Sequence, residues 1–75
     1  MANRKLINTV KASADQIYHL ISRDILIYPV IKNGRWYIQV DNYGNIKTFD
    51  KPILEKDINE AIAKTIIFYY KKLTD

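Results

Sequence analysis

Ile25-Leu26-Ile27-Tyr28-Pro29-Val30-Ile31-Lys32-Asn33-Gly34-Arg35-Trp36-Tyr37-Ile38-Gln39-Val40 decides the fold. Its first seven residues are apolar and rich in β-branched side chains, the composition of a strand covered on part of both faces. Pro29 has no amide hydrogen to give to a ladder, so this strand belongs at a sheet edge. Asn33-Gly34 is the pair preferred by a type I′ turn, which needs positive φ at both central residues and matches the twist of an antiparallel hairpin. A two-residue turn fixes the register: Lys32 faces Arg35, Ile31 faces Trp36, Val30 faces Tyr37, Tyr28 faces Gln39 and Ile27 faces Val40. Ile27, Ile31, Trp36, Ile38 and Val40 then share one face. Tyr28, Val30, Lys32, Arg35, Tyr37 and Gln39 share the other.

Working outward, Asn42-Tyr43-Gly44 fits a three-residue loop with Gly44 in the left-handed conformation. That loop pairs Val40 with Ile46, Gln39 with Lys47, Ile38 with Thr48 and Tyr37 with Phe49. A two-residue turn at Tyr43-Gly44 would set Lys47 opposite Val40, so the longer loop is expected because it keeps both faces chemically consistent. Upstream, Ser13-Ala14-Asp15-Gln16 is a capping-box sequence. It opens a helix to about Arg23 that is expected to bury Ile17, Leu20 and Ile21. Beyond Pro52 the apolar spacing turns helical, with Leu54, Ile58, Ala61, Ile62, Thr65, Ile66, Tyr69 and Leu73 in one stripe. Acidic residues at the start of this helix and Lys71 and Lys72 at its end complement the macrodipole. Residues 5–11 read equally as a strand or as helix.

The expected class is therefore α+β: a three-stranded antiparallel meander, or a four-stranded one if residues 5–11 join it. A short N-terminal helix precedes it, and a long C-terminal helix packs on its Trp36 face. Residues 1–75 form one domain. At this size folding hides only about 60% of the unfolded chain's surface. Without cysteine, neither a disulfide nor a zinc knuckle staples the core. The longest apolar run falls far short of the roughly 20 residues that span a bilayer, and no signal-peptide pattern follows Met1. A cytoplasmic protein that does not enter a membrane is expected.

The functional expectation rests on charge and aromatics. Lys and Arg number 12 against 8 Asp and Glu, a formal charge of +4 that favours an acidic partner. The sheet register above gathers Tyr28, Tyr37 and Phe49 among Lys32, Arg35 and Lys47, the chemistry of a platform that stacks unpaired bases and holds their phosphates. Their competing role is cross-strand pairing within the sheet. Ile67, Phe68 and Tyr70 lie off the main helical stripe and form a second candidate surface, for a partner protein or a homodimer. His19 has no spaced partner for a metal site, no nucleophile and general-base pair can be assembled, and the glycines are too few for a phosphate-cradling loop. A non-enzymatic binding module without cofactor or metal is expected. It would contact nucleic acid, single-stranded by preference, through the sheet face. The alternative is a small inhibitor- or antitoxin-type protein docking through the last helix.

The order helix, three antiparallel strands, helix resembles that of double-stranded RNA-binding domains, which carry a basic cluster entering the second helix where this chain reads Ile53-Leu54-Glu55-Lys56-Asp57. Tyr28-Pro29-Val30-Ile31, the hairpin after it and the Glu60-Ala61 helix are similar to small antitoxins of the HicB type. A three-stranded sheet followed by one helix also resembles the arm-binding domains of integrases.

Overall fold

The computed structural model describes residues 11–74. The element order is α1 (Ala14–Ile21), β1 (Ile25–Lys32), β2 (Arg35–Asn42), β3 (Asn45–Thr48), a 3-10 turn (Glu55–Asp57) and α2 (Ile58–Thr74). The α+β expectation holds, with a three-stranded antiparallel sheet in the order β1-β2-β3. The choice between strand and helix for residues 5–11 lies outside the described residues but for Lys11. Among the described residues, no helix is long and apolar enough to cross a membrane.

Local chemistry explains each start and stop. Ser13 Oγ accepts the Gln16 amide at 3.1 Å while Gln16 Oε1 accepts the Ser13 amide at 2.9 Å, a closed capping box that begins α1. Asp24, in the left-handed region at φ 59°, turns the chain from α1 into β1. The first hairpin has the expected register, from Lys32 opposite Arg35 to Ile25 opposite Asn42, with Asn33 and Gly34 at φ 52° and 76°. In a two-residue hairpin the flanking pair exchanges both backbone bonds, and bonding then alternates along the ladder. Pro29 therefore turns its nitrogen to the free edge of β1, where no donor is missed.

The second hairpin corrects the expectation. Asn42 pairs with Asn45, Asp41 with Ile46, Val40 with Lys47 and Gln39 with Thr48, so the loop has two residues. Tyr43 at φ 56° and Gly44 at φ 92° make the turn, and the Gly44 amide donates to Asp41 Oδ1 at 2.8 Å. Lys47 is tolerated opposite buried Val40 because β3 lies at the rim. There the lysine stem runs outward, with Nζ 5.7 Å from the Phe49 ring centroid. One residue of loop length moves Lys47 and Phe49 to the other face of the sheet from Tyr28 and Tyr37. The ladder continues past β3 through Phe49 N–H to Ile38 C=O and Ile53 N–H to Trp36 C=O, both 2.9 Å.

Leu20, Ile25, Val40 and Ile66 meet in the core, so α1 and α2 both pack on the Val40 face. The first helix thus joins the layer of the second. It is anchored mainly by Leu20, 2% exposed, whereas Ile17 and Ile21 are 38% and 51% exposed, contrary to the expectation that all three are buried. In α2, Thr65 and Ile66 of the expected stripe are buried together with Ala63, but Leu54 and Leu73 at its ends are exposed. Trp36 lies on the helix side of the sheet and is half-buried, lining a groove with Pro52 and Ile53.

Tyr43→Asn is expected to raise stability by about 0.5–1 kcal/mol, because a β-carbon in the left-handed region costs roughly 1–2 kcal/mol and asparagine tolerates it best. Urea denaturation of the two proteins measures the difference. Leu20→Ala should cost about 2–4 kcal/mol in the same assay, and Ile21→Ala under about 1.

Candidate nucleic-acid interface

The six sheet residues singled out in the sequence divide between two surfaces. Tyr28, Lys32, Arg35 and Tyr37 lie on the face away from the helices, which no described element covers. A polar ladder crosses that face. Gln39 Nε2 donates to Tyr28 Oη at 3.0 Å, and Thr48 Oγ1 donates to Gln39 Oε1 at 2.7 Å. Tyr28 and Tyr37 are half-buried among their neighbours, and the two cations of this face sit together at the Asn33-Gly34 end. Asp41 lies on the same face near the opposite end. Tyr28 thus has structural work within the ladder, whereas Tyr37 neighbours Lys32 and Arg35 on this face.

Lys47 and Phe49 belong instead to a groove of about 480 Å³ between β3 and α2, completed by Lys64, Thr65, Phe68, Tyr69 and Lys72. Three lysines and three aromatic rings line it, and no carboxylate does. Phe49 packs against the core and Tyr69 does likewise. Phe68 is 56% exposed and stands edge-to-face on Tyr69, with ring centroids 5.6 Å apart. Lys72 Nζ sits 5.2 Å from the Phe68 centroid and Lys47 Nζ over Phe49, within the range of cation–π attraction. Lys64 is held by Glu60 at 3.2 Å on the surface. The Thr65 hydroxyl donates to the Ala61 carbonyl at 2.8 Å, so it presents no free donor to the groove.

The second candidate surface also divides. Tyr70 is half-buried against α1, its ring 5.1 Å from that of His19 at 75°, and Ile67 is half-buried as well. Only Phe68 of that trio is exposed, and it belongs to the groove. Lys64, Tyr69 and Lys72 were not singled out as site residues, because the macrodipole sufficed for Lys72 and core packing for Tyr69. The signal that finds them is the spacing of four in Lys64, Phe68 and Lys72, which sets a cation, a ring and a cation along one helix face. No family model, curated protein or solved structure matches this chain.

Phe49→Ala and Phe68→Ala separate scaffold from surface. Phe49→Ala should lower stability by about 2–3 kcal/mol, since its ring packs on the core. Phe68→Ala should change it by less than about 0.5 kcal/mol. Thermal and urea unfolding check both.

Proposed function

We propose that this protein is a non-enzymatic nucleic-acid-binding module whose contact surface is the groove between β3 and α2. The observation that carries the reading is the lining of that groove by Lys47, Lys64 and Lys72 with Phe49, Phe68 and Tyr69, free of carboxylates. Aromatic rings offer a face to any base, and ammonium groups at their borders attract phosphates. Exposed Phe68 is the ring best placed for stacking, which requires an unpaired base. A single strand is therefore the preferred ligand. The formal charge of +4 speeds the encounter with a polyanion.

Fluorescence anisotropy with labelled single-stranded and duplex DNA and RNA at several salt concentrations tests this reading. Phe68→Ala should weaken single-strand binding by about 5- to 150-fold, the equivalent of roughly 1–3 kcal/mol for one stacked base. Lys72→Ala should flatten the salt dependence by about one phosphate contact. If binding is instead lost with Tyr37→Ala and kept with Phe68→Ala, the open sheet face is the interface. An absence of binding at low salt refutes both.

A further inference from the structure

We infer, resting on the nucleic-acid reading of the groove between β3 and α2, that this groove is one-ended: it seats the terminal few nucleotides of a single strand, whose remaining chain leaves past Lys72. The fold gives the groove a direction. Its sheet wall follows β2, since Lys47 pairs with Val40, the Phe49 amide donates to the Ile38 carbonyl and the Ile53 amide to that of Trp36. The helix wall starts at that same Trp36 end, because Ile53 lines a pocket with Asp57, Glu60, Ala61 and Lys64. Ile66, further along α2, meets Val40. Phe49 and Lys64 therefore stand at one end of the groove, with Lys47 and Lys72 towards the other.

Charge follows that direction. Residues 50–60, which lie at the Phe49 and Lys64 end, carry four carboxylates, Asp50, Glu55, Asp57 and Glu60, against two lysines. Residues 61–74 carry Lys64, Lys71 and Lys72 and no carboxylate, and β3 carries Lys47 alone. Glu60 reaches Lys64 at 3.2 Å and Asp57 lines the adjoining pocket with it, so a phosphate that passed Lys64 would run onto two carboxylates. Because Glu60 holds Lys64, the positive charge of the groove is weighted further towards Lys72. Spacing sets the length of strand that fits. Lys64, Phe68 and Lys72 recur every four residues, so the outer pair spans about 12 Å of helix axis, or about three to four nucleotides at roughly 3.4 Å each. A strand with an end can set it against Lys64 and reach both lysines without crossing the acidic segment. A closed strand has to cross that segment or turn sharply out of the groove.

Competition anisotropy on the full chain tests this, with linear oligothymidylates and oligouridylates of up to about 16 nucleotides, the upper range of single-strand site sizes. The longest strand is compared in linear and ligated circular form. Affinity is expected to level off by about four nucleotides, because an end offers one register whatever the length behind it. The circle should bind roughly 2- to 20-fold more weakly than the linear strand, the effect of two exposed like-charge contacts. Asp57→Asn with Glu60→Gln, neither of which is buried, should close most of that gap. By releasing Lys64 it should also steepen the salt dependence by about one phosphate contact. Glu60→Gln alone should give a smaller change of the same sign, and serves if the urea midpoint shows the double variant unfolded. Equal binding of circle and linear strand, or affinity still rising beyond about eight nucleotides, overturns the one-ended groove; sensitivity to Phe68→Ala then still upholds the nucleic-acid reading. Binding indifferent to Phe68→Ala, or none at any length, overturns that reading and this inference with it.

Discussion

Side chains alternate strictly between the two faces of a strand, so the length of each hairpin loop decides what chemistry each face displays. Both loops here are two residues long, with positive φ at each central position. The first places Ile25, Ile27, Ile38 and Val40 on the side where Leu20 and Ile66 can meet them. The second sends Lys47 and Phe49 to that side too, where α2 ends the sheet and the groove begins. Core, groove and open face all depend on this parity. A loop longer by one residue would move Phe49 off the core and leave α2 without its contact at the β3 rim.

Parity also sets the cost of the helical layer. A three-stranded sheet presents little apolar surface, and two helices share it. α2 packs on it through Ile66, which meets Ile25 and Val40, and α1 is held mainly by Leu20. The shared core is correspondingly small, and large apolar side chains remain exposed along α1 and β1. In a domain this size, which hides a smaller fraction of its surface than a larger one, such exposure is a stability deficit that self-association can offset.

How far the sequence was legible follows from where its signals were local. Asn33-Gly34 has one favoured turn, and the capping box is complete within four residues, so the first hairpin and the start of α1 could be read directly. Tyr43-Gly44 could not. Tyrosine is a poor left-handed residue, and the choice between loop lengths turned on whether Lys47 could face Val40. That depends on how far α2 extends over β3, which no local pattern states. The same gap set Lys47 and Phe49 on one face with Tyr28 and Tyr37, whereas the register places them on the other, beside helical residues already explained by core packing and the macrodipole. Burial of Ile17 and Ile21 was overestimated for a related reason, because helical periodicity shows which face is apolar and cannot show how much of it is covered.

Phe49 ties architecture to the proposed chemistry. Its ring packs against the core on one side and lines the groove on the other, with Lys47 resting over it. Phe68 is its converse, exposed and carried by a helix whose buried side is already secured by Thr65 and Ile66. A groove built in this way has one ring held by the core and one exposed to solvent. On the proposed reading, the exposed ring changes rotamer to meet bases of different size, at the cost of side-chain freedom. The proposed ligand is then stacked with tolerance of sequence, because the groove offers π-faces and point charges but few directed hydrogen-bond donors.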